Sequence, residues 1–116
     1  MEIKVGKKKF EVEVARTEDE KEKGLSNRDS LNKNEGMLFV FDKPDTVGFW
    51  MKDTHFDLDI CFIDEDCEII SIYHGKAENE DIVEEDNVKY VLEVNPNTGV
   101  KEGDEVDIPE DEEGKD

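Results

Sequence analysis

The 116 residues are the length of one ordinary domain, but only 34% are hydrophobic, 42% are charged and the formal net charge is −19. A field of that sign repels phosphate backbones and anionic lipid surfaces, which disfavours direct nucleic-acid or membrane binding; basic proteins, metal cations and cationic ligands are what it attracts. Solubility alone would also explain the charge, and so would adaptation to high salt, although thirteen lysines argue against the latter.

Taken in chain order, "EIKVGKKKFEVEVA" alternates apolar and charged residues on both sides of Gly6. That period of two predicts an antiparallel hairpin with one face buried. "RTEDEKEKGL" predicts a short helix: Thr17 and Glu20 make a capping box, acids fill the first turn, and lysines precede Gly24. It has almost no apolar face and reads as a surface connector, with Leu25 and Leu31 plugging into the core on either side of "SNRDS".

"GMLFVF" reads as a strand covered on both faces, "DKPDT" as a turn, and "VGFWM" as the next strand. "HFDLDICFIDEDCEIISIYH" predicts two strands around "DED", with Phe56, Leu58, Ile60 and Phe62 on one side. "GKAENEDIVEEDN" reads as a long acidic loop, and "VKYVLEV" and "DEVDI" as the last strands, separated by "NPNTG". Seven or eight short strands, one helix and no βαβ rhythm predict an all-β fold, an antiparallel β-sandwich or partly closed barrel. The domain is expected over residues 1–109, with an acidic flexible tail over 110–116.

No signal-peptide core or run of membrane-spanning length is present, so a cytoplasmic, reducing setting is expected. Cys61 and Cys67 are then free thiols, since a tight turn at Asp64–Asp66 leaves them offset on the ladder.

The chemistry-bearing candidates begin with "FWMKDT". On an extended strand Phe49 and Met51 point one way and Trp50 and Lys52 the other. Two readings stay open for the second pair: plain packing with Lys52 snorkelling over the indole, or a floor for a planar or apolar ligand. Asp57 and Asp59, near His55 and Asp53, are a carboxylate pair able to hold a cation or simply an exposed acidic strand face. No metal-ligand spacing, serine elbow, phosphate loop or Cys–His pair is present, so no metal or cofactor is expected. Arg28, one of two arginines, is placed to hold Asp59 or Glu93 bidentately, or a ligand carboxylate.

The segments Ala15 to Leu25, Arg28, "GMLFVF", "FWMKDT", "LDICFID" and "VLEVNPNTG" together resemble the domain of unknown function 192 family, over about Ala15 to Ile108. The resemblance implies a compact β-sandwich of jelly-roll-like arrangement and no settled activity. It draws attention to Gly24, Leu25, Arg28, Gly36, Met37, Leu38, Phe39, Trp50, Met51, Lys52, Thr54, Leu58, Asp59, Leu92, Glu93 and Gly103. The chain departs from the family pattern at Ser26 (usually Met), Asp57 (usually Pro) and Cys67 (often Gly).

Three functions follow. The first is a non-catalytic binding or adaptor module, for a protein partner or small ligand of basic character, acting through Arg28, Trp50, Met51, Lys52, Thr54, Asp59 and Glu93. The second is a structural component of a large assembly such as a phage virion. The third is an enzyme with a pocket around Arg28, Lys52 and Asp59, where a lysine desolvated by the indole would act as base or nucleophile.

Overall fold

The computed structural model describes residues 1–109; the expected acidic tail lies outside them. Seven strands and one helix follow in order: β1 (Glu2–Val5), β2 (Lys8–Ala15), α1 (Glu18–Lys23), β3 (Glu35–Phe49), β4 (Leu58–Ile63), β5 (Ile69–Gly75), β6 (Val83–Val94) and β7 (Val106–Asp107). They form one sheet in the order β5-β4-β6-β3-β2-β1-β7.

The sheet curls into a half-barrel, so the all-β class and the partly closed barrel both hold. Its two edges approach each other where Ile69 N–H donates to the Asp104 carbonyl (3.0 Å) and Val106 N–H to the Cys67 carbonyl (2.8 Å). The sheet is mixed: β2 and β3 run parallel, Glu11 opposite Glu35 through Ala15 opposite Phe39, and α1 lies on the crossover between them. A parallel pair needs such a crossover, which is why the single helix falls there.

Strand alternation delivers two cores. One, inside the curl, is fed by all seven strands and includes Ile3, Val5, Phe10, Leu38, Cys61, Tyr90, Leu92 and Val106. The other covers the opposite face and includes Met37, Phe39, Met51, Leu58, Ile60, Phe62 and Val91. Strand β4 is therefore buried at every position.

Two predicted boundaries differ. Asp42–Thr46 does not break the chain into two strands; β3 runs through it with register shifts between Val40 and Val47. The ladder is interrupted there, and the Lys89 ammonium donates to the freed carbonyls of Phe41 and Asp42. The acidic loop also ends sooner, because β6 begins at Val83 and takes "EEDN" into the sheet, with Asn87 at φ 63°. Past the register shifts the far arm of β3 folds back over the outer face. Phe49 thus meets Phe39 of its own strand edge-on, with ring centroids 5.0 Å apart, and meets Phe62 of β4 at 6.1 Å.

Candidate functional site

That fold-back, together with α1, creates a cleft of about 910 Å³. One wall is α1 with its Gly24–Ser26 exit, another is the far arm of β3 continuing into Trp50–Thr54, and Phe39, Phe41 and Glu93 line it as well.

The helix wall is fixed by local sequence. The Thr17 hydroxyl accepts from Glu20 N–H (3.1 Å), and the Glu20 carboxylate accepts in return from Thr17 N–H (3.0 Å), which satisfies amides that a short helix leaves orphaned. No residue of α1 is buried, as expected of a connector. What seats the helix is Lys21, whose ammonium donates to the Val40 carbonyl (3.1 Å) and lies 4.3 Å from the Phe41 ring centroid. Gly24 closes the helix at φ 47°, where a Cβ would stand 3.3 Å from the Phe39 ring.

The second wall departs from expectation in one respect. Strand β3 ends at Phe49, so Trp50, Met51 and Lys52 lie beyond the strand rather than within it. Their alternation survives: Met51 is 1% exposed and packs into the outer core, whereas Trp50 is 45% exposed. The Lys52 ammonium lies 5.1 Å from the Trp50 ring centroid, so indole and cation share an accessible wall. The segment is pinned by its backbone: Met51 N–H donates to the Asn79 carbonyl (3.1 Å), Asn27 N–H to the Asp53 carbonyl (2.8 Å), and Glu78 N–H to the Thr54 carbonyl (2.9 Å). Thr54 is buried, and its hydroxyl makes no hydrogen bond among the described residues.

Glu93 is the least expected member. It lies on β6 between Met37 of β3 and Ile60 of β4, on the strand face shared with Val91. It is only 5% exposed, and it makes no hydrogen bond or ion pair among the described residues. Burial alone pushes its carboxyl up to about 8. Desolvation penalises the charged form and nothing nearby offsets it, so the group is mostly protonated at neutral pH.

The remaining candidates lie elsewhere. Arg28 takes Glu13 bidentately (2.6 and 2.9 Å), not Asp59 or Glu93, and this pair holds the Glu13 carboxyl below its ordinary range. Asp59 alternates with Cys61 on the opposite strand face from Ile60, and the His74 ring Nδ1 lies 2.6 Å from its Oδ1. Asp57 accepts from Ala77 N–H (2.9 Å) and lies 3.7 Å from the Lys76 ammonium, so the two carboxylates serve different neighbours. Met51 packs against Gly75. Of Arg28, Lys52 and Asp59, only Lys52 lines the cleft. Among the described residues no group of three His, Cys, Asp or Glu side chains could hold a metal ion.

Sequence reasoning missed a second cleft of about 820 Å³, lined by Lys8, Lys9, Lys33, Phe10 and Leu31 among others. Its lysines are scattered along the chain and converge only through the parallel β2–β3 pairing, which no local pattern signals.

With the geometry in view, comparison with known proteins supplies the kinship. A family model described as "Uncharacterized ACR" matches residues 1–108. The chain belongs to the domain of unknown function 192 family. A crystal structure of a protein of unknown function from Novosphingobium aromaticivorans superposes on this DUF192 chain with a TM-score of 0.88 at 32% identity, covering 93% of this chain and 84% of that one. A Sinorhizobium meliloti protein provisionally called a transcription regulator superposes at 0.85 with 30% identity, covering 91% of each chain. Comparison with curated proteins finds no match. Of the positions to which the family resemblance draws attention, Gly24, Phe39, Trp50, Lys52, Thr54 and Glu93 all line the one cleft.

Proposed function

We propose that this DUF192 chain is a non-catalytic binding module and that the cleft between α1 and Trp50–Thr54 is its site. The observation that carries the reading is Glu93, an unpartnered carboxyl buried behind an aromatic-lined opening. Among the described residues only Thr98 Oγ1 is a fully enclosed side-chain polar atom without a partner, so the Glu93 carboxyl keeps an open side on which a ligand can pair with it. The half-exposed Trp50 and the partly buried Phe41 and Phe49 offer apolar surface for the rest of the ligand. Binding is favoured over catalysis because two of the three residues of the catalytic alternative, Arg28 and Asp59, are engaged elsewhere and do not line the cleft. A regulatory role like the one named for the Sinorhizobium protein would run through such a ligand or a basic partner rather than through DNA, given the net charge of −19.

Trp50 is the only tryptophan, so its indole N–H gives one resonance in a proton–nitrogen correlation spectrum. A screen of small apolar amines, alcohols and acids should yield binders that shift this resonance and that no longer bind Trp50→Ala. Binders that instead perturb the Phe10–Leu31 cleft, and that Trp50→Ala leaves unaffected, would refute the assignment.

A further inference from the structure

We infer that the cleft selects its ligand by a cationic nitrogen, a primary amine or guanidinium on an apolar stem, which passes Trp50 and pairs with Glu93. The inference rests on the reading above and goes beyond it by naming the chemistry recognised.

Three observations lead to it. Glu93 has no cation of its own: Lys21 is committed to the Val40 carbonyl and the Phe41 ring, and Lys52 to the indole. The lining carries seven carboxyl side chains against four lysines, so the local field has the sign of the whole protein and draws cations inward. The Thr54 hydroxyl, which also lines the cleft, is a second acceptor for an ammonium or guanidinium proton. A neutral acceptor could meet a protonated Glu93, but it would gain nothing from the field.

The pairing balances as a proton exchange. The Glu93 carboxylic acid releases its proton to solvent as the ligand's ammonium takes its place beside the carboxylate. Because the free carboxyl titrates at about 8, the affinity for an amine should rise with pH up to that point and then level off.

The test uses three probes of one shape, 2-phenylethylamine, 2-phenylethanol and 3-phenylpropanoate, with the full chain and with Glu93→Gln. Trp50 fluorescence follows binding, and calorimetry at pH 7 in two buffers of different ionisation enthalpy counts protons. At pH 8 the amine should bind at least ~10-fold more tightly than the alcohol, a charge-assisted contact being about twice as strong as a neutral one. The carboxylate probe should bind worst, and its preference over the amine would overturn the inference. About one proton should be released per amine bound at pH 7. Glu93→Gln should erase both the amine preference and the pH dependence. If that variant does not fold, the proton count on the unmodified chain decides. Equal binding of amine and alcohol, or no proton release, overturns the inference but leaves the cleft as the site. Failure of all three probes to move the Trp50 signal removes both.

Discussion

The buried carboxyl of Glu93 makes a stability prediction that needs no ligand. Its ordinary value is near 4.5, and in the folded chain burial raises it to about 8. Between those values the unfolded chain has released the proton while the folded chain retains it. The unfolded state then binds fewer protons, so unfolding free energy falls as pH rises from about 4.5 to about 8 and is flat beyond, as far as this group is concerned. One pH unit corresponds to ~1.4 kcal/mol, so the window holds at most ~5 kcal/mol. Local relaxation and water reaching the cleft bring the expected loss to about 3 kcal/mol. Glu93→Gln keeps the shape and removes the titration. Its absolute stability depends on how well the amide is accommodated, so the comparison is between slopes. Urea unfolding of both proteins at pH 5, 6, 7 and 8 supplies them. The unmodified chain should lose about 3 kcal/mol more than the variant across that range. Parallel profiles would show that Glu93 is already ionised in the fold, and the argument for an unpartnered carboxyl would fail.

Other positions give sharper local tests. A Cβ on Gly75 would lie 2.7 Å from the Met51 sulfur, so Gly75→Ala should cost about 1–3 kcal/mol in thermal unfolding. Met51→Ala alone should cost about 2–5 kcal/mol, and the double variant should be more stable than the two losses added, because the small side chain vacates the space the new methyl needs. Cys67 sits at φ 64°, a conformation glycine adopts freely; Cys67→Gly should raise stability by about 1 kcal/mol, and a loss would show that the thiol packs better than it strains. Arg28→Lys should cost less than about 1 kcal/mol, because its pair with Glu13 is largely solvent-exposed, and should leave binding at the cleft untouched; a loss of binding would move Arg28 back into the site.

The fold was legible wherever local rules decide it. The Gly6 hairpin, the Thr17 capping box and the alternation of Leu58, Ile60 and Phe62 all read directly into structure. Pro44 and its acidic neighbours misled because the same residues that make a turn also make a bulge, and only the pairing partner β6 distinguishes the two. The parallel β2–β3 pairing was hidden because a six-residue polar helix gives no βαβ signature. At the site, the opposite facing of Met51 and Trp50 followed from simple alternation, whereas which of the two faces is exposed depends on the packing of Met51 into the outer core. The partner of Arg28 did not, because any acid within reach satisfies a guanidinium, and Glu13 on β2 lay closer in the fold than Asp59 or Glu93.

The case for a ligand at Glu93 is strengthened by how the sheet treats its other buried charges. Three charged residues of the described chain are buried: Asp59, Lys89 and Glu93. Asp59 has His74, and Lys89 has the two carbonyls freed by the interruption in β3. Glu93 alone has no protein partner, although it sits mid-sheet between Met37 and Ile60, where an apolar side chain would suit its neighbours and cost nothing. Departures from local consistency of this kind are expected at functional sites, where stability is given up for something the isolated fold does not need. The departure falls at the one buried acid that lines the aromatic cleft. A fold that satisfies its other buried charges and leaves this carboxyl without a protein partner is what the proposed pairing with an outside cation requires.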